Sequence, residues 1–70
     1  MDQPSVHVEY TSPQWRVRVS TESIARSHHV DSDDAIRVAK ILAEQLGADL
    51  VIHRLDGAVS QRFPRESPRI

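Results

Sequence analysis

Val6-His7-Val8-Glu9-Tyr10, then Thr11-Ser12-Pro13-Gln14, then Trp15-Arg16-Val17-Arg18-Val19 follow one another without a break, and this stretch decides the fold. In the first and third segments apolar residues occupy every second position, the period of a strand with one face buried. The segment between them is a turn cluster: Pro13 fixes its own φ, and Thr11 and Ser12 offer local hydrogen bonds. With residues 11 to 14 as the loop, Tyr10 lies opposite Trp15, Val8 opposite Val17 and Val6 opposite Val19. All six share one face, while Glu9 meets Arg16 and His7 meets Arg18 on the other. A slip of one residue would mix the two sets, so the hairpin has one sensible register.

Moving toward the C-terminus, Thr21-Glu22-Ser23 reads as a second turn and Ile24 to Val30 as a third strand with poor alternation. A helix follows. Asp31 or Ser32 can cap its free N–H groups, Asp33 and Asp34 oppose the positive end of its dipole, and Gly47 stands where a left-handed C-terminal cap is expected. At about 100° per residue, Ala35, Ile36, Val38, Ala39, Leu42, Ala43 and Leu46 form one broad stripe, and Ile41 falls outside it on the polar side. The alanines predict a close approach of helix to sheet.

Beyond Gly47, Leu50-Val51-Ile52 and Val59 to Phe63 flank Asp56-Gly57, a dipeptide that suits a type I′ hairpin turn with positive φ at both central residues. That loop sets Leu50 against Phe63, Ile52 against Gln61 and Arg54 against Val59. Val51, His53, Leu55, Ala58, Ser60 and Arg62 fall on the opposite side. Pro64 stops the last strand, and residues 64–70 read as a disordered or loosely attached tail.

The fold class expected is therefore α+β, with the order ββ(β)αββ: a two-layer domain over residues 1–63, with one helix packed on an antiparallel sheet. The expected core comprises Val6, Val8, Tyr10, Trp15, Val17, Val19, Ala35, Ile36, Ala39, Leu42, Ala43, Leu46, Leu50, Ile52, Val59 and Phe63.

These residues resemble a known family. Val6-His7-Val8, Trp15 with Val17, the aspartate-rich start before Ala35-Ile36, and Gly47-Ala48-Asp49-Leu50-Val51-Ile52-His53 followed by Asp56-Gly57 are similar to the small bacterial domain of unknown function 2188. The resemblance runs over roughly residues 5 to 63. It implies a compact α+β protein of bacteria or their phages. It implies no activity and carries over no catalytic residue.

Composition narrows the function classes. The chain has 70 residues and a net charge of −1. A domain of this size buries only about 60% of the surface its unfolded chain exposes, so it has little room for a deep pocket. It has no cysteine, so no disulfide can add stability. No stretch approaches the ~20 apolar residues of a membrane span. A cytoplasmic protein is expected.

No cofactor or metal is expected. His28 and His29 are adjacent, so a strand turns them to opposite faces; His7 and His53 could share the open face if their strands are neighbours, but further ligands are lacking. Asp31, Asp33 and Asp34 are explained by capping and the helix dipole. No nucleophile elbow or phosphate loop is present, and the chain is read as non-catalytic.

Two surfaces remain. Ile41, Val51, Leu55 and Ala58 form the candidate association surface of a self-associating module, a homodimer or an adaptor for another protein. Arg16, Arg18 and Arg62 form the alternative, a weak nucleic-acid-binding face. Against the alternative stand Glu9 within the patch and the absence of stacking aromatics on that side.

Overall fold

The computed structural model describes residues 4–64. The element order is β1 (Ser5–Thr11), β2 (Gln14–Val19), β3 (Ser27–His29), α1 (Ser32–Leu46), β4 (Asp49–His53) and β5 (Val59–Phe63). Five strands form one sheet in the order β3-β2-β1-β4-β5, with the helix packed on one face. The α+β class and the ββ(β)αββ order match the expectation. The domain boundary at residue 63 has a tail beyond it that, apart from Pro64, lies outside the described residues, as does the start of the chain.

The sheet is mixed rather than purely antiparallel. The helix carries the chain back across the sheet, and β4 enters beside β1 running in the same direction, with Val6 against Leu50 and Val8 against Ile52. Such a crossover is what a parallel pair requires, since a tight turn can only reverse direction.

The β1–β2 hairpin has the register its alternation demands, from Val6 opposite Val19 to Tyr10 opposite Trp15. Pairing extends one step further, to Thr11 opposite Gln14, so the loop closes over Ser12 and Pro13 with a cis peptide between them. β3 is shorter than expected: Ile24 and Val30 lie outside it and are exposed.

Asp31 caps α1, its side chain accepting from the Asp33 N–H at 3.2 Å. Gly47 ends it in the left-handed region (φ 62°), which a glycine enters without a Cβ penalty. The Ala48 N–H then reaches back to the Ala43 carbonyl at 2.9 Å, satisfying an orphan acceptor.

Ala35, Ala39, Ala43 and Leu42 form the buried line of the helix, set against Val6 and Val8 of β1, Val17 and Val19 of β2, and Leu50 and Ile52 of β4. Small residues on the helix and β-branched residues on the sheet allow close packing of the two layers. Burying each large apolar side chain contributes about 1.5–3 kcal/mol.

The helix lies over β1 to β4 and makes no close backbone approach to β5 among the described residues. Consequently Val59 and Phe63 of β5, expected in the core, are exposed; Tyr10 near the end of β1 and Leu46 at the end of α1 are exposed as well, while Trp15 and Ile36 are only partly buried. Ala48 joins the core instead.

The β4–β5 hairpin departs from the expected turn. Only Gly57 has positive φ (92°), so Asp56-Gly57 is not a type I′ turn. The loop holds three residues: Arg54 N–H bonds the Ala58 carbonyl at 2.7 Å, and Gly57 N–H bonds the Arg54 carbonyl at 2.9 Å. This shifts the pairing near the tip by one, placing His53 rather than Arg54 opposite Val59. A bulge at Ser60 absorbs the shift, and Ile52–Gln61 and Leu50–Phe63 pair as expected.

Candidate functional site

The sheet face away from the helix is set by strand parity. It carries Ser5, His7 and Glu9 from β1, Arg16 and Arg18 from β2, His28 from β3, Asp49, Val51 and His53 from β4, and Arg62 from β5. Neighbouring strands bring these residues into two larger bonded groups and one further ion pair.

In the first group, Glu9 stands between two arginines. Arg18 donates through Nε and Nη2 to its two carboxylate oxygens at 2.9 and 3.3 Å, and Arg16 donates through Nε at 3.0 Å. The hydrogen bond from Arg18 is the main cause that brings the Glu9 carboxyl down to about 2, with Arg16 adding to it against the opposing effect of burial. Across the face, Arg62 donates to Asp49 at 2.9 Å.

The second group is a chain of bonds: Ser5 Oγ to His7 Nε2 at 2.9 Å, His7 Nδ1 to His53 Nε2 at 2.9 Å, and His53 Nδ1 to the Gly57 carbonyl at 3.1 Å. The two imidazoles stack with centroids 5.2 Å apart. Burial, followed by the nearby Arg18 charge, lowers the pKa of His7. Ser-His-His in this order invites comparison with a nucleophile and its base. The same Ser-x-His bond recurs between Ser27 and His29 at 2.9 Å, so strand spacing alone produces it. Among the described residues no group of three or more metal-ligating side chains comes together.

For the arginine face, the strands bring Arg16 and Arg18 together on β2, and Arg62 of β5 lies on the same side with β1 and β4 between. Each is bonded to a carboxylate, which reduces what the face can offer a phosphate.

For the association surface the placement differs from the expected patch. Val51 is only 7% exposed, held beneath the polar side chains of the open face between β1 and β5, and is withdrawn from the patch. Leu55 (69% exposed) and Ala58 lie together at the tip of the β4–β5 hairpin. Ile41 (54% exposed) lies about 140° round the helix axis from Ile36, away from that tip.

A feature absent from the expected patch adjoins Leu55. Between the first half of α1 and the β4–β5 hairpin runs an open groove lined by Trp15, Ile36, Ile52 and Leu55, with Ser32, Asp56 and Ser60 at its polar margin. Phe63 (43% exposed) lies on the same flank, with Lys40 Nζ 6.0 Å from its ring centroid. Alternation assigns these aromatics to the helix side correctly. That the helix stops short of β5 follows from strand order, which local spacing does not encode.

Searches of curated proteins and of solved structures found no match. A family model does match, over residues 6–63, and its description reads "Uncharacterized protein conserved in bacteria (DUF2188)". The match takes in the helix and every strand except Ser5 at the start of β1, and with them the groove beside β5 and the rest of the polar sheet face, and the chain belongs to this family of uncharacterised bacterial proteins.

Proposed function

We propose that the chain is a non-catalytic, self-associating interaction module of the bacterial cytoplasm, and that it pairs through the β5 flank. The observation that carries this reading is the open groove lined by Trp15, Ile36, Ile52 and Leu55, beside an edge strand that the helix does not cover. A groove with a protruding Leu55 at its rim suits a two-fold contact, in which the same patch supplies both the knob and the recess. The groove keeps Trp15 only partly buried, so a second copy would complete a core that one copy leaves thin. A net charge of −1 gives two copies little reason to repel.

The recurrence of the Ser5–His7 bond between Ser27 and His29 supports the non-catalytic part of the reading, and the cysteine-free composition is compatible with a reducing compartment. Weak nucleic-acid binding through Arg16, Arg18 and Arg62 is the competing reading, and the carboxylate partners of all three weigh against it.

Solution mass by light scattering, at low and high salt, separates the two. A dimer whose mass does not fall with salt and does not change with a mixed oligonucleotide pool is the expected result, because apolar contacts are not weakened by salt. A monomer that gains mass with oligonucleotides only at low salt would overturn the association reading, since phosphate contacts weaken steeply as salt rises.

A further inference from the structure

The bond chain across the open face fixes where every proton sits. The Gly57 carbonyl can only accept, so the bond at 3.1 Å requires a proton on His53 Nδ1. In a neutral His53 the Nε2 is then a lone pair, and the 2.9 Å contact requires a proton on His7 Nδ1. His7 Nε2 becomes an acceptor in turn, and the Ser5 hydroxyl donates to it. Both rings are thus Nδ1–H tautomers, the less common form of a free neutral imidazole.

One added proton changes this chain without breaking it. Placed on His7 Nε2, it donates to Ser5 Oγ, whose hydroxyl turns to accept. The proton between the rings can then sit on either His7 Nδ1 or His53 Nε2, and all three bonds survive. A second added proton leaves both facing nitrogens carrying hydrogen at 2.9 Å, a geometry with no acceptor. We propose that His7 and His53 form a one-proton latch between β1 and the end of β4: the pair takes up a single proton with its bonds intact, and a second proton separates the rings and loosens the β4–β5 hairpin from β1. This holds whether or not the chain self-associates.

The surroundings act on both steps. Arg18 of β2 and Arg62 of β5 disfavour positive charge at His7, and Glu9 of β1 favours it. Asp49 lies on the same β4 face and bonds Arg62, and Asp56 lies in the hairpin loop, where it accepts from Ala58 N–H. The charges that act on His7 come from the sheet, on the face opposite the helix.

The test is an NMR titration of the imidazole nitrogens in the full-length chain. At neutral pH both rings should report the Nδ1–H tautomer, a measurement that needs no variant. On acidification the pair should titrate in two steps, the second at least about tenfold weaker in proton affinity than the first, as coupled sites do. The ring-to-ring nuclear Overhauser contact should survive the first step and vanish with the second. In His7→Gln the weak second step should disappear. An Nε2–H tautomer on His53 at neutral pH, or two rings that titrate independently with equal affinity, would overturn the latch.

Discussion

Glu9 accepts from two arginines on the neighbouring strand, and its carboxyl is half-shielded by them. Its pKa falls from 4.5 to about 2, so the folded state holds the ionised form more firmly than the unfolded chain does. The stabilisation is fully present above pH 4.5 and is lost as pH falls toward 2. Glu9→Gln should cost about 1–2 kcal/mol near neutral pH in urea unfolding and should flatten the acid limb of the stability curve. His7 adds an earlier loss: its lowered pKa means that stability begins to decline as pH drops below 6.5. Gly47 makes a different kind of contribution. A Cβ there would meet nothing within 4 Å, yet φ is 62°, so Gly47→Ala should cost about 1 kcal/mol through backbone strain alone. A helix C-terminus that tolerates alanine without loss of thermal stability would contradict this reading.

At the scale of elements, the sequence states some features directly and hides others for physical reasons. The β1–β2 register follows from side chains only a few residues apart, because the apolar set of Val6, Val8, Val17 and Val19 has one arrangement that buries all of it. The caps of α1 are equally local, one aspartate and one glycine. The β4–β5 hairpin is harder to read, since Asp56-Gly57 suits both a two-residue and a three-residue loop. The chain takes the longer loop and restores register at Ser60. Ser60 is therefore the one residue of β5 without a paired position. Deleting it should leave Ile52–Gln61 and Leu50–Phe63 paired, which cross-strand NOEs would check. Loss of both pairs would mean that the bulge sets the register rather than absorbs a shift.

For the whole molecule, the decisive fact is strand order. No local pattern says that β4 lies beside β1, and that placement makes the sheet mixed, stacks His7 on His53 and leaves β5 without a close backbone approach from the helix. The same placement separates residues that side-by-side reading had grouped: Leu55 and Ala58 at the hairpin tip, Val51 buried, and Ile41 on the far helix flank. Two variants exploit the separation. Leu55→Asp should reduce the solution mass of a dimer to that of a monomer, whereas Ile41→Asp should leave it unchanged, with helix content by circular dichroism preserved in both. A dimer dissociated by Ile41→Asp alone would move the contact to the opposite flank of α1.

The order also sets a timetable for synthesis. β1 lies at the centre of the sheet, yet it leaves the ribosome first, and its partner β4 ends only at His53. Until then one side of β1 exposes unpaired backbone to whatever strand comes near, and the contacts that close it span most of the chain, an arrangement that slows folding. In the nascent hairpin of β1 and β2, β1 is thus a template awaiting a neighbour made more than forty residues later, and the cell must keep other strands away from it until β4 arrives.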